Sequence, residues 1–204
     1  MLKEVKNIIF DLGGVLYAID YSKTLKAFDA LGIKDADQLY TKAGQSILFD
    51  DLEIGKISKT VFFNSLNDMI DNTLSEQDLK NAWNAMLLDF MPEVHEFLKK
   101  LKDDYRLFLL SNTNEIHIKE IEDRAGKEMF SNFLSLFDKV YLSHEIGMRK
   151  PHKEIFHFIL NEQNLHATET LFIDDSIQHI KGALSANLKA YHLKEGERVF
   201  QLFP

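Results

Sequence analysis

The chain has 204 residues, of which 45% are hydrophobic and 27% are charged, a composition typical of a globular protein with a large core. Its formal net charge of -8 argues against nucleic acid or an anionic membrane as a partner, because phosphate groups are bound by basic surfaces. The absence of cysteine excludes disulfides and thiolate metal sites. The first residues lead directly into an apolar run, and no run approaches the roughly 18 residues of a membrane span, so we expect a cytoplasmic protein without a signal peptide.

Apolar runs at residues 8–12, 105–110, 140–142 and 171–173 predict buried strands. A fifth, weaker candidate lies at residues 189–193. Amphipathic helical patterns separate these runs, for example at residues 93–101 and 153–161. Strands that alternate with helices predict crossover connections and a parallel sheet, and therefore an α/β fold.

The region from residue 22 to residue 88 interrupts this alternation. It contains no convincing strand and predicts helices at residues 22–31, 36–49, 58–69 and 75–88. Ser75 and Asp78 have the spacing of a capping box at the start of the last of these helices. The sequence therefore predicts a helical insertion directly after the first strand.

Most of the predicted strands end near residues that are costly in a core and useful in chemistry. In chain order these residues are Asp11, Ser111 with Asn112, Lys150, and Asp174 with Asp175. Each of them alone is more typical of a turn or a solvated loop. Because ligands bind outside the carboxyl ends of strands in an open parallel sheet, we expect the whole set to lie along one edge. Together the set offers a nucleophile, a hydroxyl donor, a cation and metal-binding acids.

On these motifs the chain resembles the haloacid dehalogenase superfamily of hydrolases, most of which are phosphatases. The matching segments are residues 11–15, 111–112, 150–151 and 174–175. Longer stretches at residues 10–15, 53–58, 110–114 and 142–151 are similar to bacterial sugar-phosphate phosphatases that include an α-glucose-1-phosphate phosphatase. The resemblance implies a Rossmann-like parallel sheet with helices on both faces and a small helical cap. It assigns residues 1–16 and 89–204 to the core and residues 17–88 to the cap.

The chemistry of a phosphate monoester fits these residues. A carboxylate such as Asp11 can attack the phosphorus and form an acyl-phosphate that water then hydrolyses. Oxygen ligands without cysteine or paired histidine favour Mg²⁺, which would offset the repulsion between the acids and phosphate. The resemblance implies that Asp11, Asp175 and the backbone carbonyl of Gly13 ligate the metal, and that Asp174 acts through water or through Lys150.

Phosphate binding is expected to rest on the lysine and on the end of the second predicted strand. Lys150 is the candidate catalytic cation for the transferring phosphate. The Ser111 side chain and the Asn112 backbone are candidate hydrogen-bond donors to the phosphate oxygens. The expected partner is a small phosphorylated metabolite, and the sequence gives no indication of the oligomeric state.

Gly13 departs from the family pattern, because phosphatases usually carry a second aspartate here that serves as general acid and base. Such help is typically worth about 10²–10⁴-fold in rate. The sugar-phosphate relatives also carry glycine here, and an anomeric phosphate needs less protonation of its leaving group, which favours that type of substrate. A phosphosugar mutase and a non-catalytic sensor of a phosphorylated metabolite stay alternatives. A dehalogenase is disfavoured, because it needs no metal and would leave Asp174 and Asp175 unexplained.

A few other side chains are candidates for the pocket. Tyr17, Asp20 and Phe49 lie in or near the cap and are candidates for contact with the leaving group. His117 follows the Ser111 loop closely, but a packing or surface role is the more typical one for a lone histidine.

Overall fold

The computed structural model describes residues 3–33, 47–70 and 74–203. Its strands are β1 (Asn7–Phe10), β2 (Tyr17–Ile19), β3 (Leu87–Phe90), β4 (Arg106–Ser111), β5 (Lys139–Leu142), β6 (Thr170–Asp174) and β7 (Lys189–His192). Its α-helices are α1 (Tyr21–Ala30), α2 (Ile47–Glu53), α3 (Lys59–Asn67), α4 (Glu76–Trp83), α5 (Val94–Leu101), α6 (Glu115–Ala125), α7 (Lys127–Leu134), α8 (Ser143–Ile146), α9 (Lys153–Glu162) and α10 (Ile177–Ser185). Short 3₁₀ helices lie at Asn84–Met86, Ala167–Glu169 and Val199–Leu202.

Five strands form a parallel sheet in the order β5-β4-β1-β6-β7, which confirms the predicted α/β fold. The central strand β1 is buried along its whole length and pairs with β4 on one side and β6 on the other. Successive side chains of a strand point to opposite faces. Accordingly Ile8 packs in one hydrophobic cluster and Ile9 in the other, so helices cover both faces of the sheet.

A second, two-stranded sheet pairs β2 with β3 in antiparallel fashion. The sequence analysis was wrong here: it predicted helix from residue 75 to residue 88 and no strand in the insertion, whereas α4 ends at Trp83 and β3 begins at Leu87. The partner of β3 lies about 70 residues earlier in the chain, at Tyr17–Ile19. A local pattern does not report a pairing of that sequence separation, and tertiary contacts override local propensity.

The helices of the insertion begin at capped residues. Asp20, Ser58 and Ser75 are the N-caps of α1, α3 and α4, and each accepts a hydrogen bond from a backbone N–H of its own first turn. Ser75 accepts from the Asp78 N–H as predicted, while the Asp78 carboxylate accepts from the Ser75 hydroxyl. The helix predicted at residues 36–49 falls mostly outside the described residues, and α2 covers Ile47–Glu53.

Trp83 joins the inserted helices to the main sheet layer. Its ring packs on Phe28 of α1, Phe49 of α2 and Phe62 of α3, with ring centroids 5.1–6.2 Å apart. On its other side it stacks on His117 of α6, at a centroid distance of 4.6 Å. The division into a core and a cap at residues 17–88 stays a prediction. In the described part of the chain, none of the helices is long and apolar enough to span a bilayer.

Candidate active site

The carboxyl ends of three neighbouring strands meet at one cavity. Asp11 directly follows β1, and its backbone N–H donates to the Ile173 carbonyl of β6 at 3.0 Å. Ser111 is the last residue of β4, and Asp174 is the last residue of β6. Asp11 and Ser111 line a cavity of about 360 Å³ that lies beyond these strand ends, as the parallel topology predicts.

Lys150 is fully buried beside this cavity and joins two of the acids. Its Nζ lies 2.7 Å from Oδ1 of Asp11 and 2.7 Å from Oδ2 of Asp174. The Asn112 side chain fixes the lysine backbone: its Nδ2 donates to the Lys150 carbonyl, and its Oδ1 accepts from the Lys150 N–H, both at 2.9 Å. The Asn112 side chain therefore positions Lys150. The backbone of Asn112 is then the part of this residue that is available to a ligand.

Burial and charge set the protonation of this cluster. Burial raises the pKa of Asp11 well above its usual value, and the charges of Asp174 and Asp175 add to the rise against the opposing effect of Lys150. Burial alone would lower the pKa of Lys150, but Asp11 and Asp174 outweigh it and raise that pKa. Burial opposes ionisation of Asp174 as well, yet Lys150 and His179 hold its pKa at about 2. The cluster thus has a permanent ammonium and more acid than that ammonium can neutralise.

Asp174 uses both of its oxygens within the protein. Oδ1 accepts from the Ser176 N–H at 2.7 Å and lies 2.9 Å from Nδ1 of His179, while Oδ2 accepts from Lys150. His179 belongs to the first turn of α10 and lines the cavity. A carboxylate that already accepts from three groups is suited to orient the lysine.

The loop after β1 contacts Asp175. A Cβ atom at Gly14 would lie 2.5 Å from Oδ2 of Asp175, and Gly14 has a φ of 75°, so glycine is needed here for both reasons. Asp175 and Gly13 both line the cavity. A Cβ atom at Gly13 would lie 3.0 Å from Cδ1 of Ile19, so an apolar side chain packs against the position that carries an aspartate in many phosphatases.

The donor set at these strand ends fits a hard divalent cation. Asp11, Gly13 and Asp175 line the cavity together, whereas the nearby Asp174 and His179 contact each other, and Asp174 is also bound to Lys150. Two carboxylates share one ammonium, with a third beside them, which leaves an excess of negative charge; burial first, and then the charges of Asp174 and Asp175, raise the pKa of Asp11. Carboxylate oxygens are the ligands that Mg²⁺ prefers, and its charge would offset that excess.

The opposite wall of the cavity comes from the insertion. Tyr21 of α1 and Asp50 and Glu53 of α2 line it, together with Arg149. Arg149 forms ion pairs with Asp50 and with Glu53, the latter at 2.9 Å between Nη2 and Oε2. Burial, followed by the charges of Asp175 and Asp11, raises the pKa of Tyr21, so its phenol stays protonated in the cavity.

Several of these residues were missed by the sequence analysis. His179 lies five positions after Asp174, where the first turn of a following helix faces back to the strand end, and this spacing is the signal that could have found it. Glu53 and Arg149 lie within the stretches at residues 53–58 and 142–151 that resemble the sugar-phosphate phosphatases, but their contact with each other and with Asp50 depends on how α2 packs against the lysine loop. Of the cap candidates, Tyr17 lines the cavity, whereas Phe49 packs on Trp83.

His117 packs on Trp83 and also lines the cavity. Asn114 Oδ1 accepts from the backbone N–H groups of Ile116 and His117, so the Asn114 amide nitrogen faces Nδ1 of the histidine. Nδ1 must then accept, and Nε2 carries the proton and donates to the Trp83 carbonyl at 3.3 Å. Burial lowers the pKa of His117 to about 4, which keeps the ring neutral.

Comparison with known proteins gives concordant matches. The family model described as haloacid dehalogenase-like hydrolase matches residues 5–187. A D-ribitol-5-phosphate phosphatase from Bacteroides thetaiotaomicron is 36% identical over 184 residues, which are 86% of this chain and 85% of that protein.

Two solved structures have nearly the same fold. A HAD family enzyme from Bacteroides thetaiotaomicron, solved as a mutant in complex with magnesium and inorganic phosphate, has a TM-score of 0.91 and 32% identity, with 98% of this chain and 99% of that one covered. A predicted HAD-like family hydrolase from Porphyromonas gingivalis has a TM-score of 0.83 and 34% identity. The match covers 95% of this chain and 93% of that one.

Proposed function

Because the chain belongs to the haloacid dehalogenase-like hydrolases and hydrolyses phosphate monoesters, we propose that it is a Mg²⁺-dependent phosphatase of a small sugar or polyol phosphate. The observation that carries the proposal is the contact of Lys150 with both Asp11 and Asp174 at the edge of the cavity. That arrangement places a nucleophilic carboxylate next to the cation that a transferring phosphate requires.

Asp11 is the proposed nucleophile. Its carboxylate is close to the cavity and is held by Lys150, and its Oδ1 also accepts from the Leu12 N–H at 2.7 Å. Attack of an Asp11 oxygen on phosphorus forms the bond of an aspartyl-phosphate as the bond from phosphorus to the ester oxygen breaks, and the leaving alkoxide takes a proton from water. Water then attacks the same phosphorus, which regenerates the carboxylate and releases phosphate.

Asp11, the Gly13 carbonyl and Asp175 are the proposed ligands of Mg²⁺. When bound, the ion would supply positive charge to the phosphate oxygens. We propose an indirect role for Asp174, because its oxygens accept from Lys150, Ser176 and His179.

Lys150, Ser111 and the Asn112 backbone are the proposed phosphate-binding groups. Lys150 contributes a charge that stays on the protein over the working pH range, because its pKa is raised. Ser111 contributes a hydroxyl from the end of β4, where it lines the cavity. Such preorganised donors stabilise the charge of phosphoryl transfer without reorganisation.

The substrate class rests on the wall of the cavity and on the relatives. The cavity lining includes acids and hydroxyl groups of the insertion, which suits an alcohol with several hydroxyl groups. One relative is named for its action on D-ribitol 5-phosphate, a polyol ester. We propose that residues 17–88 act as a cap that contacts the leaving group, and that the partner is therefore a small phosphorylated metabolite.

A panel assay tests this proposal and its alternatives. Phosphate release is measured from ribitol 5-phosphate, glucose 1-phosphate, glucose 6-phosphate and p-nitrophenyl phosphate, with Mg²⁺ or with chelator. We expect Mg²⁺-dependent release that Asp11→Asn abolishes. Isomerised sugar phosphate without release would support a mutase, and binding of a sugar phosphate without turnover of any ester would support a sensor.

A further inference from the structure

We propose that Glu53, oriented by Arg149, selects leaving groups that carry hydroxyl groups and disfavours those that carry a carboxylate. The inference rests on the proposed phosphatase function and assigns a specificity-determining residue and a positioning residue to it. The preferred substrates are then phosphate esters of polyols or sugars, and esters of hydroxy acids are poor substrates.

Glu53 is an acid in an unusual position. It is the last residue of α2, only 7% of its surface is exposed, and it lines the same cavity as Asp11. Glutamate is almost never buried to this degree unless it is paired. Its Oε2 lies 2.9 Å from Nη2 of Arg149, an ion pair that offsets the cost of burying the charge.

Arg149 has one positive charge and pairs with two carboxylates. Its guanidinium pairs with Glu53 and also with Asp50, and its own side chain is 11% exposed. One guanidinium and two carboxylates give this group a formal charge of -1. A ligand at this wall meets carboxylate oxygens, which accept hydrogen bonds from hydroxyl groups and repel a further carboxylate.

The wall is fixed in place by the core. A Cβ atom at Gly55, two residues after Glu53, would lie 2.2 Å from the His144 carbonyl oxygen, so the turn after α2 packs directly on the backbone of α8. Arg149 precedes Lys150, whose backbone is held by Asn112. Glu53 is thus positioned relative to the reacting phosphate through one rigid loop, as a specificity contact requires.

The test compares three esters in the wild type and in Glu53→Gln. Ribitol 5-phosphate offers hydroxyl groups, phosphoglycolate offers a carboxylate, and p-nitrophenyl phosphate offers neither near the wall. For Glu53→Gln we expect kcat/KM for ribitol 5-phosphate to fall by about 10- to 100-fold, mainly through KM, because the charged acceptor is replaced by a neutral amide, one of whose two terminal atoms is a donor. Activity on p-nitrophenyl phosphate should change by less than about 3-fold, and the phosphoglycolate-to-ribitol-phosphate ratio should rise by about 10-fold or more.

Two further variants separate selection from general damage. Asp51→Asn removes a charge from the same helix, but Asp51 pairs with Lys56 and is absent from the lining of this cavity, so we expect wild-type kinetics on all three esters. Arg149→Lys keeps the charge and loses the two-pronged guanidinium geometry, so we expect a smaller change in the direction of Glu53→Gln.

The outcomes are distinct. Equal losses on all three esters in Glu53→Gln, or unchanged kcat/KM on ribitol 5-phosphate, would overturn the inference while leaving the phosphatase function in place. A similar loss in Asp51→Asn would overturn it too. A wild-type protein that hydrolyses none of the esters would remove the proposed function itself.

Discussion

The cavity is bordered by two similar clusters that differ in burial. The strand-end cluster, Asp11, Lys150 and Asp174, places an ammonium between two carboxylates whose side chains are 10% and 0% exposed. The cap cluster, Asp50, Glu53 and Arg149, places a guanidinium between carboxylates that are 40% and 9% exposed. The two cations are consecutive in sequence, so one loop serves both sides of the site.

The difference indicates what each cluster can do. In the strand-end cluster, burial and mutual charge shift pKa values strongly, which is typical of groups that perform chemistry. The cap cluster keeps one acid at the surface, so water screens part of its charge. We infer that the buried cluster determines whether an ester is hydrolysed, and that the more open one determines which ester is preferred.

Removal of the nucleophile should give the largest effect. Asp11→Asn keeps the shape of the side chain and removes its negative charge, so turnover of every ester should fall by about 10⁴-fold or more, the scale seen when a covalent nucleophile is lost. The matched control is Asp104→Asn at an exposed turn. Steady-state phosphate release measures both variants, and more than a tenth of wild-type kcat in Asp11→Asn would contradict the assigned nucleophile.

Removal of each cation compares the two clusters directly. Lys150→Met leaves two buried carboxylates without their cation and should cost about 3–5 kcal/mol of unfolding free energy in chelator, with loss of activity on all esters. Arg149→Met should lower the free energy of unfolding by about 1–3 kcal/mol and should impair mainly the hydrolysis of ribitol 5-phosphate. Urea unfolding and kinetics measure both, with exposed Lys139→Met as control. A smaller stability loss for Lys150→Met than for Arg149→Met would reverse the comparison.

The junction between the insertion and the sheet should respond to pH. Burial lowers the pKa of His117 to about 4, below its ordinary value of about 6.5, so the unfolded chain binds more protons than the folded one between these values. The contribution of neutral His117 to the free energy of unfolding is complete above about pH 6.5. It is lost as the pH falls towards 4, by up to about 3 kcal/mol.

Urea unfolding from pH 7 to pH 4.5 measures this effect. His117→Gln should flatten that part of the stability curve, whereas His157→Gln on the exposed side of α9 should not. The same slope in wild type and His117→Gln would show that other groups cause the loss.

Two glycines with the same backbone geometry test how tightly the cap wall is fixed. Gly55 and Gly147 have φ values of 68° and 67°, but only at Gly55 would a Cβ meet a neighbour closely, the His144 carbonyl. Gly147→Ala should cost about 1 kcal/mol from backbone strain. Gly55→Ala should cost about 1–3 kcal/mol more and raise KM for ribitol 5-phosphate. Equal losses of unfolding free energy in Gly55→Ala and Gly147→Ala, measured with denaturant, would show that α2 adapts and that its position is not fixed by this contact.

The sequence predicted the parts of the site that depend on local signals. Asp11 and Asp174 stand at the ends of apolar runs, and parallel topology brings such ends together, so their approach was foreseeable. The antiparallel pair β2–β3 and the contact of Arg149 with Glu53 were not foreseeable, because each joins segments far apart in the chain. His179 is intermediate, since its distance from Asp174 in sequence is short but its direction depends on how α10 begins.

Acid-quench labelling tests most directly whether Asp11 is the group that attacks phosphorus. The enzyme is mixed with p-nitrophenyl [³²P]phosphate and Mg²⁺, quenched in acid within milliseconds and digested, and the labelled peptide is identified. We predict ³²P on the peptide that contains Asp11, at an amount that rises with the burst of p-nitrophenol and is absent from Asp11→Asn. Label on a different peptide, or nitrophenol release without any protein-bound label, would contradict covalent catalysis by Asp11.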